Sequence, residues 1–283
     1  MRERIWRVGE RVFNVSREGL IMGVLNITPD SFSDGGKFFA LQNAIEHGLR
    51  MAAEGAHIID VGGESTRPGA EPVAVDEELR RVIPVIEKLR TKIDVLISID
   101  TSKGEVARVA IQAGASIVND VTGGRGDDQM LTLVAETKSA FIIMHMQGKP
   151  RTMQIEPRYT DVVAEISEFF RQQYARAIGL NIDPMAIAFD PGIGFGKTLE
   201  HNLELLAQLE RLRVHDRVLV VGVSRKSFLG KLIESQEIKD RLAPGLALTA
   251  LLRVRGADVF RVHEVKENVY ALRVTEAILQ RDK

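Results

Sequence analysis

Eight short apolar runs recur along the 283-residue chain, and their spacing limits the possible fold more than any other feature. They span residues 20–25, 57–61, 95–99, 115–118, 141–144, 186–189, 218–221 and 259–262. Most are continuous rather than alternating and rich in Ile and Val, which is how strands covered on both faces of a parallel sheet read. Helical stretches lie between them: 40–54 ahead of Gly55, 76–90 opening on three acidic residues, 103–113 ahead of Gly114, 161–178 ahead of Gly179 and 243–255 ahead of Gly256. Acids at a helix start suit the helix dipole, and glycine past its end suits a left-handed cap. Strand then helix, eight times, predicts an α/β fold, the (β/α)8 TIM barrel, for which about 250 residues, or ~31 per unit, is typical. A doubly wound open sheet is the alternative. No Pro/Ser-rich linker or low-complexity segment interrupts the chain, so one domain is expected over 1–283. Ile5, Trp6 and Val8, then Val12, Phe13 and Val15 about Gly9-Glu10, predict a short N-terminal β-hairpin within 1–19, ahead of a barrel over 20–281.

Composition narrows the function classes. Lys plus Arg number 38 and Asp plus Glu 39, a net charge of −1 that argues against nucleic acid or an anionic membrane as the main partner. Without cysteine there is no disulfide, thiolate nucleophile or Cys-ligated metal, which fits a reducing compartment. The first residues are charged throughout and lack the apolar stretch of a signal peptide, and no run is long enough to span a membrane. A cytoplasmic protein is the expectation.

The residues after each run carry the chemistry. In order they are Asn26, Gly62-Gly63-Glu64, Asp100, Asn119-Asp120, His145, Asp190, Gly222 and His263. In a parallel barrel these ends share the face where barrel enzymes build their active sites. A single polar residue at a strand end is more often a helix cap, but polar residues at nearly every end exceed what capping requires. The first loop, NITPDSFSDGG (26–36), consists largely of turn formers and carries Phe32 at its tip, where an aromatic is best used to close over something. The second, GGESTRPGA (62–70), offers glycine-freed amides, the Thr66 hydroxyl and the Arg67 fork, which matches phosphate oxygens. DPGIGFGKT (190–198) invites a phosphate-loop reading and fails it, because Pro191 stands where a Walker loop needs glycine. SRKS (224–227) and FRVHEVKE (260–267) occupy the seventh and eighth corner, the usual phosphate site of a barrel. Arg261 and His263, two residues apart, lie on one face of their strand.

On these residues the chain resembles the dihydropteroate synthases, a family of pterin-binding enzymes, over 21–278. The matching stretches are MGVLNITPDSFSDGG, DVGGESTRPGA, ISIDTSK, IVNDV, MHMQGKPRTMQ, FDPGIGFGK, VGVSRKSF and FRVHEVKE, and their common order makes the resemblance specific. Glu264 departs from the Asp the family more often has there. The resemblance implies condensation of 6-hydroxymethyl-7,8-dihydropterin diphosphate with p-aminobenzoate in folate biosynthesis, Mg2+ as cofactor, sulfonamides as competitors and a homodimer, with the apolar stretch 242–252 available for its interface. It implies a pterin site of Asp100, Asn119, Met144, Asp190, Phe195, Gly222 and Lys226. The diphosphate would fall to Asn26, Thr66, Arg67, Arg261 and His263, with Asn26 also the magnesium ligand. Phe32, Pro68, Lys226 and Ser227 would take p-aminobenzoate, with Ser227 near a helix start, and Asp34, Arg67, Lys226 and His263 would be catalytic.

The chemistry agrees. A pterin's amide N–H beside an amino group suits a carboxylate, and a departing pyrophosphate suits Arg, His and metal. An arylamine is nucleophilic at neutral pH, so no Ser, Cys or strong base is demanded. A pterin-binding methyltransferase of corrinoid systems would share the acids but not the NITPDSFSDGG loop, SRKS or the Arg261–His263 pair. A non-catalytic pterin-binding barrel would have no use for Arg67, Lys226 and His263 together. A metal hydrolase would carry a His-x-His pair where the first strand ends in Asn26.

Overall fold

The computed structural model describes residues 3–27, 36–66, 69–149 and 151–281, with the backbone alone for 36–40. Strands β1 (Ile5–Val8) and β2 (Arg11–Asn14) form an antiparallel hairpin, turning at Gly9 with φ +57°. Strand and helix then alternate: β3 (Leu20–Asn26), α1 (Gly36–Ala53), β4 (Ile58–Gly62), α2 (Val75–Arg90), β5 (Leu96–Asp100), α3 (Gly104–Ala113), β6 (Ile117–Asp120) and α4 (Met130–Thr137). The second half repeats the pattern: β7 (Ala140–Met144), α5 (Val162–Gly179), β8 (Ile187–Asp190), α6 (Leu199–Ala207), β9 (Val218–Val221), α7 (Ser227–Leu232), α8 (Leu242–Val254), β10 (Val259–Val262) and α9 (Val265–Leu279). Strands β3 to β10 are parallel, and β10 pairs with both β9 and β3, so the sheet closes into a barrel and the open-sheet alternative is excluded.

Closure gives the polar residues their placement. Five strands run past the apolar run into the polar position, ending at Asn26, Gly62, Asp100, Asp120 and Asp190. Side chains alternate across a strand, so one phase points into the barrel and the other onto the helices. The outer phase, with Ile59, Val61, Ile97, Ile99 and Val118, packs with helical residues such as Val82, Val106 and Leu133. The inner phase is apolar at the N-terminal end, where Met22, Ile58, Leu96, Ile117, Ile142 and Val259 pack together. Two residues on, the same phase carries Asp60, Ser98, Asn119 and Arg261, and Asp100 follows two after Ser98. The barrel interior is therefore oil at one end and charge at the other.

The hairpin closes the apolar end. Trp6 is 0% exposed, packs with that inner cluster and donates its indole N–H to the Ala186 carbonyl at 3.2 Å. Around it, fully buried Asp258 pairs with Arg4 (3.0 Å) and Arg213 (2.8 Å), tying the hairpin to the base of β10. Helix boundaries fall within a few residues of the expected ones, and Gly55, Gly114 and Gly256 take the left-handed conformation expected past a helix end. Gly179 does not, because α5 includes it; the left-handed residue is Asn181, φ +61°. Helices α4, α6 and α9 were not anticipated, whereas α7 is the helix expected to start near Ser227. Among the described residues, no helix is long and apolar enough to cross a membrane.

Candidate active site

The polar end of the barrel is organised by one guanidinium. Arg261 donates through Nε to Asp60 Oδ2 at 2.6 Å and through a terminal nitrogen to Asp100 Oδ2 at 2.7 Å. Asn119 Nδ2 also donates to Asp60 Oδ2, at 3.1 Å. Asp60 is 0% exposed and Asp100 7%, so one cation faces two carboxylates in a dry interior. Burial opposes the charge on Arg261, but Asp60 and Asp100 outweigh it and hold the guanidinium firmly protonated. Burial pushes Asp100 up to about 7; Arg261 works against that rise, and neighbouring Asp60 adds to it. Asp60 Oδ1 and Asp100 Oδ1 have no hydrogen-bond partner among the described residues. Buried acceptors of this kind await a donor, since leaving one unmet costs about 1–3 kcal/mol.

A second group sits across the mouth. Asp190 ends β8 and accepts the Gly192 amide at 2.7 Å; burial raises its pKa, with Lys226 opposing. Lys226 donates to the Ile193 carbonyl and lies 4.5 Å from the Phe195 ring centre. Burial pulls Lys226 down to about 8, against the influence of Asp190. Phe195 packs on Val121, Met144, Met146 and Met153, so a flat apolar wall stands beside the two charges. The DPGIGFGK segment explains its glycines here. A Cβ at Gly192 (φ +65°) would stand 2.0 Å from the His145 carbonyl oxygen, and one at Gly196 (φ +63°) 2.4 Å from that of Gln147. The loop after β8 thus lies directly on the loop after β7. Lys197 locks the two, donating to the Phe195 carbonyl (2.9 Å) and the His145 carbonyl (3.3 Å), with Nζ 3.1 Å from His145 Nδ1. Burial holds Lys197 down at about 7, and burial and then Lys197 hold His145 at about 2, so this histidine is neutral.

The remaining residues line the rim. Asn26 ends β3 beside Gly62, where a Cβ would stand 3.6 Å from Asn26 Oδ1 and 3.5 Å from Asp100 Cβ; glycine keeps that space open. His263 follows β10, with Nδ1 3.0 Å from Ser224 Oγ. Gly222 is buried beside Arg261, and Thr66 is half-buried at the start of the second loop. The root of that loop is stapled: Glu64 accepts the Val73 amide (3.1 Å) and Lys103, and Lys103 also pairs with fully buried Glu78. Ser227 opens α7, but that helix has only six residues, so its offering is a hydroxyl rather than a helix field. Phe32, Asp34, Arg67 and Pro68 lie outside the described residues.

The barrel therefore brings Asp100, Asn119 and Arg261 into one network, and Asp190, Lys226, Phe195 and Met144 into a facing group. Arg261, expected at the diphosphate, also bridges Asp60 and Asp100 in this network. Sequence reasoning missed Asp60, Lys103, Ser224 and Lys197. Asp60 did leave a signal: a charge in the middle of a strand, two residues after Ile58 and in its phase. Among the described residues no cluster of three His, Cys, Asp or Glu could hold a metal. Asn26, at the end of β3, is the side chain expected to meet Mg2+, an ion that takes few protein oxygens and keeps its waters and substrate phosphates. A cavity of about 620 Å³ opens at the opposite end of the barrel, walled by Arg4, Leu209, Arg253 and Glu276; volume does not mark the site here.

The pterin binding enzyme family matches residues 22–263. The chain is 45% identical to the dihydropteroate synthase of Synechocystis sp., over 96% of this chain and 94% of that protein. A Yersinia pestis dihydropteroate synthase solved with a sulfonamide drug complex superposes with a TM-score of 0.91 at 41% identity, covering 98% of this chain and 99% of that one. A Xanthomonas albilineans dihydropteroate synthase with 4-aminobenzoic acid gives 0.91 at 42%, with the same coverage.

Proposed function

The chain belongs to the pterin binding enzyme family and, within it, to the dihydropteroate synthases, and on that footing we propose how its residues divide the work. The reaction joins p-aminobenzoate to 6-hydroxymethyl-7,8-dihydropterin diphosphate, giving 7,8-dihydropteroate and pyrophosphate. The observation that carries the assignment is the set of buried carboxylates at the polar end, two of them with oxygens lacking a partner among the described residues. Asp190 takes the pterin's amide and amino donors, Asp100 Oδ1 and Asn119 complete the ring contacts, and Lys226 donates to the pterin carbonyl. Met144 and Phe195 wall the ring, and Gly222 leaves it room. Asn26, Thr66, Arg67, Arg261 and His263 receive the diphosphate. Asn26 would hold Mg2+, which when bound lowers the charge on the leaving group. The C–O bond breaks with its electron pair leaving on pyrophosphate, the electron-rich pterin ring delocalises the cationic character left on the methylene, and the amine lone pair then forms the new C–N bond. Asp34 organises the cationic intermediate and the amine proton. Phe32 and Pro68 flank the aminobenzoate ring and Ser227 meets its carboxylate, a pocket that sulfonamides would share. The test is pyrophosphate release with both substrates, beside calorimetry of pterin diphosphate on Asp190→Ala. Unchanged affinity in that variant would remove Asp190 from the pterin site.

A cytoplasmic homodimer is part of the same reading. Helices α8 and α9 pack on each other and expose Leu251, Val254, Tyr270, Val274 and Ile278, apolar side chains suited to a second copy. Val274→Glu should shift sedimentation to the monomer; an unchanged dimer would place the interface elsewhere.

A further inference from the structure

We propose that Ser224 and Glu264 are positioning residues for His263: they fix the imidazole with its proton on Nδ1 and so present Nε2 to the diphosphate. The inference rests on the reading above that His263 serves the diphosphate. It follows from counting hydrogen bonds at one hydroxyl. Ser224 Oγ has one proton and two lone pairs. It accepts the backbone N–H of His263 at 3.2 Å, which fills one lone pair. It lies 3.2 Å from Glu264 Oε2 and 3.0 Å from His263 Nδ1. The Glu264 carboxylate can only accept, so the hydroxyl proton points to it. One lone pair remains, and it faces Nδ1, so Nδ1 must be the donor. The opposite arrangement would set a bare hydroxyl oxygen against the carboxylate.

The hold on Glu264 is itself fixed. Arg225 Nε donates to Glu264 Oε1 at 2.6 Å, which leaves Oε2 for Ser224. Arg225 sits in the left-handed region, φ +59°, unusual for a side chain of its size, and Arg241 secures that turn by donating to the Arg225 carbonyl at 2.8 Å. The run SRKS thus supplies a hydroxyl, a clamp for the carboxylate and, at Lys226, a pterin contact from consecutive residues. Glu264 stands where the family more often has Asp, and its side chain reaches both Ser224 and Arg225. With Nδ1 occupied, Nε2 is the nitrogen that can carry a second proton toward a departing pyrophosphate oxygen. The nitrogen bearing the proton in a histidine is set by the bond the other one makes.

The experiment combines imidazole ¹⁵N NMR of the full chain with kinetics, using His263→Gln to assign the signal. The wild type should show His263 protonated at Nδ1. In Glu264→Gln the new amide N–H donates to Ser224 Oγ, the hydroxyl turns toward the ring, and the tautomer should switch to Nε2–H. Ser224→Ala and Glu264→Gln should lower kcat about tenfold, the effect of one hydrogen bond to a charged group, with KM for p-aminobenzoate within about twofold. Ser224→Thr keeps the hydroxyl and should stay within about threefold of wild type. An Nε2–H tautomer in the wild type, or no switch in Glu264→Gln, overturns the proposal. If His263→Gln turns over at the wild-type rate, the diphosphate reading fails instead, and the tautomer spectra still decide whether Ser224 and Glu264 hold the ring.

Discussion

Replacing Arg261 with Met removes the cation that two buried carboxylates share. Asp60 and Asp100 both accept from it, at 2.6 and 2.7 Å, and both are almost fully buried. Methionine fills similar volume, so the loss is electrostatic rather than a cavity. Breaking a buried pair by removing one partner typically costs about 3–5 kcal/mol. For a chain of this size each kcal/mol lowers Tm by about 2–4 °C, so the ligand-free variant should melt roughly 6–20 °C below wild type. Adding Asp60→Asn should recover part of this, because it removes one of two like charges. The pH dependence has a definite sign. The folded-state pKa of Asp100 is about 7, above its ordinary 3.8, even with Arg261 pulling it down. Without Arg261 it rises further. A raised folded-state pKa contributes stability below the unfolded value and loses it as pH climbs through the folded one. The deficit should therefore be larger at pH 9 than at pH 6. Thermal unfolding by circular dichroism across that range measures both effects. A loss below about 1 kcal/mol at pH 8 would refute the shared-cation account, since a surface pair would contribute that much.

Three further outcomes follow from the same geometry. If a pterin donor meets Asp100 Oδ1, affinity should strengthen as pH rises toward about 7, by at most about tenfold per unit, and Asp100→Asn should flatten that slope; an unaltered slope in the variant would point to another group. Lys103→Met strands Glu78 and frees Glu64, so Val73 amide exchange should accelerate at least about tenfold and stability should fall by about 3–5 kcal/mol; unchanged exchange would show that Lys103 does not anchor the second loop. Chelating Mg2+ should stop turnover and leave binding of free pterin intact, and activity surviving in metal-free buffer would remove Asn26 and the ion from the leaving-group site.

The sequence showed the barrel clearly because parallel strands are covered on both faces, which makes each one an uninterrupted apolar word. The same property hid half of the site. Where the outer phase is largely Ile, Val, Leu and Phe, a polar residue in the inner phase reads as one blemish in a buried run, and Asp60 passed unnoticed between Ile59 and Val61. Its partner Arg261 lies 201 residues away, and only strand register brings β10 beside β3 and both near β4. Ser224 was visible as part of SRKS, but its bond to His263 depends on a left-handed turn at Arg225 that no composition rule predicts. The short helix α7 was legible only by its start near Ser227, because six residues give no usable period, and Gly179 looked like a cap because glycine usually is one.

What the fold adds is a reason for charges to persist in a barrel interior at all. At the base, Trp6 packs with the inner aliphatic side chains, and Asp258 is matched by Arg4 and Arg213. Removing Trp6 would cost about 3–5 kcal/mol, so much of the barrel's rigidity resides there. That rigid base holds Asp60 and Asp100 close together under a single guanidinium, an arrangement a looser structure would relieve by admitting water or moving apart. The oxygens of Asp60 and Asp100 that lack a partner among the described residues are therefore held in place at the top by packing at the bottom.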